Sequence, residues 1–139
     1  MKQLLLLLTT LCCGSMNAQT LVINEIMQSN IECTMDDIKE FPDSWVELYN
    51  PTDAAINLKD YKISNKNKEK KAWQLPDQTV AAHQWVLVYC DKEDDKGGMH
   101  ASFRLDSGKA KVYLFKNGER VDTRMGYQNK NQLLAFINQ

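Results

Sequence analysis

From Gln19 onward the apolar residues come in short runs broken by turn formers, and no long stretch keeps a helical spacing. The runs are Leu21 to Met27, Trp45 to Asn50, Ile56 with Leu58, Tyr61 to Ser64, Ala72 to Leu75, Trp85 to Cys90, Val112 to Phe115 and Val121 to Thr123. Short runs at this interval predict an all-β chain. In the second run, Val46 and Leu48 point one way and Trp45, Glu47 and Tyr49 the other, because side chains alternate along a strand. Trp85 to Cys90, rich in β-branched and aromatic residues, is expected to be buried on both faces. Asn117-Gly118 between two strand-like runs predicts a tight hairpin, since both positions tolerate positive φ. Pro51-Thr52-Asp53 and Pro76 to Thr79 read as turns. About eight strands in such a length predict a β-sandwich of immunoglobulin-like type.

The length of 139 residues fits one domain and excludes a TIM barrel or a typical two-domain enzyme. A formal net charge of −1 argues against nucleic-acid binding, which draws on a basic surplus. No P-loop, G-x-S-x-G or G-x-G-x-x-G is present. Residues 1–18 read as a cleaved signal peptide: Lys2 precedes the apolar run Leu4 to Cys13, and small Ala18 offers the cleavage point. The run falls short of the roughly 20 residues a membrane-spanning helix needs, so the mature chain is expected to carry no such segment. Secretion to the cell surface or periplasm is therefore expected. Lipid attachment at Cys12 or Cys13 is the less favoured alternative, because Leu11 rather than a small residue precedes Cys12. Residues 19–127 form the expected domain and 128–139 a tail, whose only helix candidate is Gln132 to Ile137.

Several pieces occur in a familiar order: Ile23-Asn24-Glu25-Ile26-Met27, Asp43 to Pro51, Leu58 to Ser64, Trp73 to Pro76, Trp85 to Val88, and Val112-Tyr113-Leu114. Together they resemble the bacterial exported branch of the lamin-tail domain family, as found in Bacteroides-type bacteria. The resemblance spans roughly residues 20 to 125. It implies an immunoglobulin-like sandwich that targets or binds rather than catalyses, often placed beside hydrolase or spore-coat-kinase-like domains. The chain departs from the family pattern near its end. Gly126-Tyr127-Gln128-Asn129-Lys130 stands where a segment like Ser-Tyr-Gly-Arg-x-x-Asp-Gly is usual.

Two acidic stretches are the leading candidates for chemistry. Cys33 opens a loop with Asp36, Asp37, Glu40 and Asp43; Cys90 immediately precedes Asp91, Glu93, Asp94 and Asp95. In an oxidising compartment Cys33 and Cys90 form a candidate disulfide, which would set the two loops side by side. Asp36, Asp37, Asp43, Asp91 and Asp95 are then candidate Ca²⁺ ligands, although the EF-hand spacing is missing and solvated, separate loops are the simpler expectation. No other cofactor is expected. Zinc held by Cys33, His83, Cys90 and His100 lacks the short ligand spacings of structural sites, and a Cys90–His100 nucleophilic pair lacks an orienting third group. Glu25, Glu47 and Asn50, with Asn24, are expected to satisfy loop amides as structural polar groups. Lys66, Lys68, Lys70 and Lys71 read as a solvated hairpin tip.

The preferred functional expectation is a secreted, non-catalytic module that binds a surface protein or polysaccharide, with no catalytic residue. A carbohydrate-binding module is the alternative, with a stacking platform drawn from Trp45, Trp73 and Trp85 with Tyr49, Tyr61 and Tyr89, among which Trp45, Trp73 and Tyr61 are the leading candidates. A third reading makes the chain the N-terminal fragment of an exported enzyme. An exposed strand edge also leaves a homodimer as a possible partner arrangement.

Overall fold

Alternation along the strands builds the first layer. In a computed structural model, which describes residues 20–126 apart from 107 and 109, β1 (Val22–Met27), β2 (Trp45–Tyr49) and β7 (Trp85–Tyr89) form an antiparallel sheet in the order β1-β2-β7. Its register aligns Ile23 with Leu48, and Val46 with both Ile26 and Val88. Ile23, Val46, Leu48 and Val88 form an inward row that is almost wholly buried.

The opposing layer is a four-stranded sheet in the order β5-β4-β8-β9. It consists of β4 (Tyr61–Ser64), β5 (Trp73–Gln74), β8 (Lys111–Lys116) and β9 (Glu119–Met125). Tyr61, Ile63, Val112 and Leu114 are its buried contribution, and they belong to the same apolar cluster as the first row. Burying each such side chain stabilises the fold by about 1.5–3 kcal/mol. A small pair, β3 (Ile56–Asn57) with β6 (Thr79–Val80), closes one end. The described residues are thus all-β, with nine strands and three short 3₁₀ turns. Asn117 (φ 49°) and Gly118 (φ 86°) make the expected hairpin between β8 and β9.

Two expectations are corrected. β7 is not buried on both faces: it is the edge strand of its sheet, and Trp85 is 57% exposed. Tyr61 cannot stack on a sugar, because it is fully buried and its hydroxyl is paired with Thr20 Oγ1 at 3.0 Å. The expected signal peptide, the tail after residue 127 and the Gln132–Ile137 helix lie outside the described residues. No helix among the described residues is long and apolar enough to cross a membrane.

Asn50 supports the end of the sandwich nearest β3 and β6. Its Nδ2 donates towards the carbonyls of Ala54 (2.9 Å), Val80 (3.0 Å) and Ala81 (3.1 Å), while Oδ1 accepts from the backbone N–H and hydroxyl of Thr52. Replacing it with Ala strands these groups. Asn50→Ala is expected to destabilise the domain by about 2–3 kcal/mol, read as a lower urea midpoint with an unchanged m-value.

Candidate functional site

Three chain segments meet at the end of the first sheet opposite Asn50. The first is the loop 28–44, which a single side chain shapes. Asn30 is 7% exposed; its Nδ2 donates to the carbonyls of Thr34 (2.7 Å) and Pro42 (2.9 Å), and its Oδ1 accepts from the N–H of Cys33 (3.2 Å) and Thr34 (3.0 Å). Further along, Asp36 Oδ1 accepts from the N–H groups of Ile38 and Glu40, making a second small turn inside the loop.

The second segment leaves β7 at Cys90-Asp91, passes through a short 3₁₀ turn at Asp94–Lys96, and reverses at Gly97 and Gly98. These glycines hold φ values of 75° and 58°, which other residues rarely adopt. The reversal lays Met99 to Ala101 beside the end of β7: Tyr89 N–H donates to Met99 O and Ala101 N–H to Tyr89 O, both at 2.8 Å. His100 is thereby returned to Asp91, nine residues earlier.

Ser44 and Arg104, the latter in the third segment, fasten the arrangement. The Ser44 hydroxyl donates to Cys90 O (2.7 Å) and accepts from Leu105 N–H (3.2 Å), while Cys90 N–H donates to Ser44 O (2.8 Å). Arg104 Nε lies 2.9 Å from Asp91 O and 2.8 Å from Asp43 Oδ2. Above them opens a cleft of about 250 Å³, whose lining includes Asp36, Phe41, Asp43, Asp91, Lys96 and Arg104. Lys96 bridges Glu40 on one wall (2.6 Å) and Glu93 on the other. The hydrogen bonds to Glu40 and then Glu93 push its pKa up, so the ammonium form is favoured.

Asp36 and Asp91 line the cleft, and with His100 they form a group of three buried titratable residues. His100 Nδ1 is 2.6 Å from Asp91 Oδ2, and His100 Nε2 is 3.9 Å from Asp36 Oδ2. The His100 ring also packs on Tyr89, with centroids 5.1 Å apart. Burial, helped by the charges of Asp37 and Asp36, pushes the Tyr89 phenol above its ordinary pKa.

The structure therefore brings the two acidic loops together but regroups their residues. Asp36 and Asp91 converge; Asp37 and Asp95 are exposed, and Asp43 is engaged by Arg104. The five-carboxylate Ca²⁺ arrangement is not formed. Nor does a disulfide join the loops: Cys33 is exposed, whereas Cys90 is fully buried with its Sγ 3.7 Å from Val88 O. Ser44, Arg104, Lys96 and His100 hold the loops together instead. His100, weighed in the sequence only with Cys33, His83 and Cys90, pairs instead with Asp91, the Gly97-Gly98 reversal folding it back; the missed residues are Ser44 and Arg104.

The other predicted positions are dispersed. Trp45 is 6% exposed, Trp73 is half-buried and Tyr61 is core, so the proposed stacking set is not a surface. Glu47 accepts from Asn24 Nδ2 at 2.5 Å, and exposed Glu25 lies opposite Glu47 on the sheet. His83 is paired with Asp53 at 2.8 Å on the surface rather than with the zinc candidates it was grouped with.

Nothing in this arrangement activates a nucleophile. Burial pushes the Cys90 thiol strongly upward, away from the reactive thiolate, and the Ser44 hydroxyl is committed to two backbone groups. The sequence comparison agrees with a β-sandwich. The lamin tail domain model matches residues 15–129. The chain belongs to the lamin tail domain family. That family consists of immunoglobulin-like, non-catalytic domains, in keeping with the layers described above. No curated protein matches the chain closely enough to count as a relative.

In this lamin tail domain the two thiols are expected to differ sharply. Cys33 should react with a water-soluble thiol reagent in the native state and Cys90 only after unfolding, with peptide mapping to locate the label. A Cys33–Cys90 cross-linked peptide from non-reduced protein would contradict the structure.

Proposed function

We propose that this lamin tail domain is an exported, non-catalytic binding module whose 28–44 loop engages a protein at the cell surface. One observation carries the reading. Ile31 (77% exposed), Met35 (49%), Ile38 (56%) and Phe41 (44%) all project from that one loop, while its backbone is pinned from beneath by Asn30 and Asp36. Large apolar side chains grouped on a surface mark an interaction site, and a loop already fixed in shape loses little entropy on binding. Aliphatic and thioether groups favour a protein over a polysaccharide, since they offer no hydrogen-bonding partner to sugar hydroxyls. The charged cleft beside the loop supplies a polar rim.

Export rests on the apolar run near the N-terminus and its small-residue boundary at Ala18. A bacterial source is supported by the ordered strand motifs. In a longer gene product, the same loop would position a neighbouring catalytic domain against its target.

A specific observation keeps the carbohydrate reading in second place. Trp85 lies directly opposite Tyr49 on the outward face of the first sheet, so one exposed and one half-buried aromatic ring share a surface. This pair, not Trp45, Trp73 and Tyr61, would be the stacking strip. Self-pairing through strand edges has less support. Along the open side of the larger sheet, β9 is tied to β1 by Ile23 N–H donating to Asp122 and by Arg124 donating to Asn24 O.

Photo-crosslinkers placed at Ile38 and, as a control, at Glu119 test the reading in producing cells. A discrete protein adduct is expected from position 38, absent from position 119 and lost with Phe41→Ser. Equal adducts from both positions would overturn the loop reading. Binding to glycans that is abolished by Trp85→Ala and untouched by Phe41→Ser would favour the second one.

A further inference from the structure

The Asp36 carboxylate is unevenly served. Its Oδ1 accepts two backbone N–H groups, at 3.0 and 2.8 Å, whereas Oδ2 is buried and has no hydrogen-bond partner among the described residues. The side chain has no exposure. Facing it at 3.9 Å is His100 Nε2. The other ring nitrogen, Nδ1, is 2.6 Å from Asp91 Oδ2; an ionised carboxylate can only accept, so Nδ1 carries the proton. In the neutral ring, the Nε2 lone pair then points toward the lone pairs of Asp36 Oδ2. Two buried acceptors facing one another are costly unless a positive charge lies between them.

We propose that Asp36 Oδ2 and His100 Nε2 ligate one divalent transition-metal cation of the zinc type, with Asp91 holding the His100 ring from behind. The three side chains each offer a donor atom within 4.8 Å of the others. The donors select the metal. Imidazole with carboxylate suits zinc and its d-block neighbours, whereas calcium takes six to eight oxygens, a set these residues do not assemble. Bonds of about 2.0–2.1 Å in tetrahedral geometry place two donors roughly 3.3–3.4 Å apart, so the 3.9 Å gap needs to close by only about half an ångström. A carboxylate behind the ligating histidine, fixing its tautomer and orientation, is the usual outer partner of such a metal. The cleft, which Asp36 lines, gives the ion a path inward, and water completes the coordination. The bound ion would tie the 28–44 loop to the segment after β7. The inference stands on the three side chains alone, independently of what the loop binds.

The test uses the full chain, treated with chelator and dialysed, then supplied with zinc chloride or calcium chloride. Zinc is expected to raise the melting temperature by several degrees, and calcium at the same concentration to leave it unchanged. In nitrogen-edited NMR of wild-type protein, the His100 Nε2 resonance should move on zinc addition while the Nδ1 proton persists. Asp36→Asn and His100→Gln should each abolish the thermal shift; if either variant folds poorly, the wild-type NMR decides. Three results would overturn the site: a zinc response at His83 or the cysteines with none at His100, stabilisation by calcium equal to that by zinc, or a His100 ring protonated on both nitrogens and indifferent to metal.

Discussion

The inward row Ile23, Val46, Leu48 and Val88 must be covered by Tyr61, Ile63, Val112 and Leu114, and everything else in the domain is arranged around that requirement. Two pleated layers can bury such rows only if their connections run across the ends of the sandwich. There the backbone leaves its ladder and its polar groups need other partners. The long connections therefore carry a few buried polar side chains that serve these groups. Asn50 serves one end; Asn30 and Ser44 serve the other. The polar braces are a consequence of the apolar layers rather than a rival source of stability.

The two ends are braced to different effect. Around Asn50 the partners are backbone groups of neighbouring turns, and nothing charged is buried. At the other end, the same demand is met partly with carboxylates, an imidazole and a guanidinium. Charged groups were drawn in because two acidic loops had to pass beside each other, and Lys96 and Arg104 reduce the repulsion between them. One carboxylate oxygen is left over in this balance.

The strands were legible because alternation is local: Val46 and Leu48 declare a face within one run, and Asn117-Gly118 declares a turn within two residues. The approach of the acidic loops was not legible: separate, solvated loops were the simpler expectation, and the cysteines that suggested otherwise are not bonded. What alternation cannot say is what lies over a face. Trp45 and Trp85 occupy the same outward side of the first sheet, yet one is buried and the other exposed, because returning loops cover only one end of it. How His100 is paired escaped for a related reason. Its partner Asp91 is near in sequence, but Asp36 is more than sixty residues away, and only the completed fold brings all three together.

The link between β1 and β9 bears on how the domain carries force. Ile23 meets Asp122 and Asn24 meets Arg124, so the first and last strands advance in the same direction. Tension transmitted along the polypeptide would therefore pull these neighbours past one another lengthwise, loading their contacts together in shear instead of peeling them apart in turn.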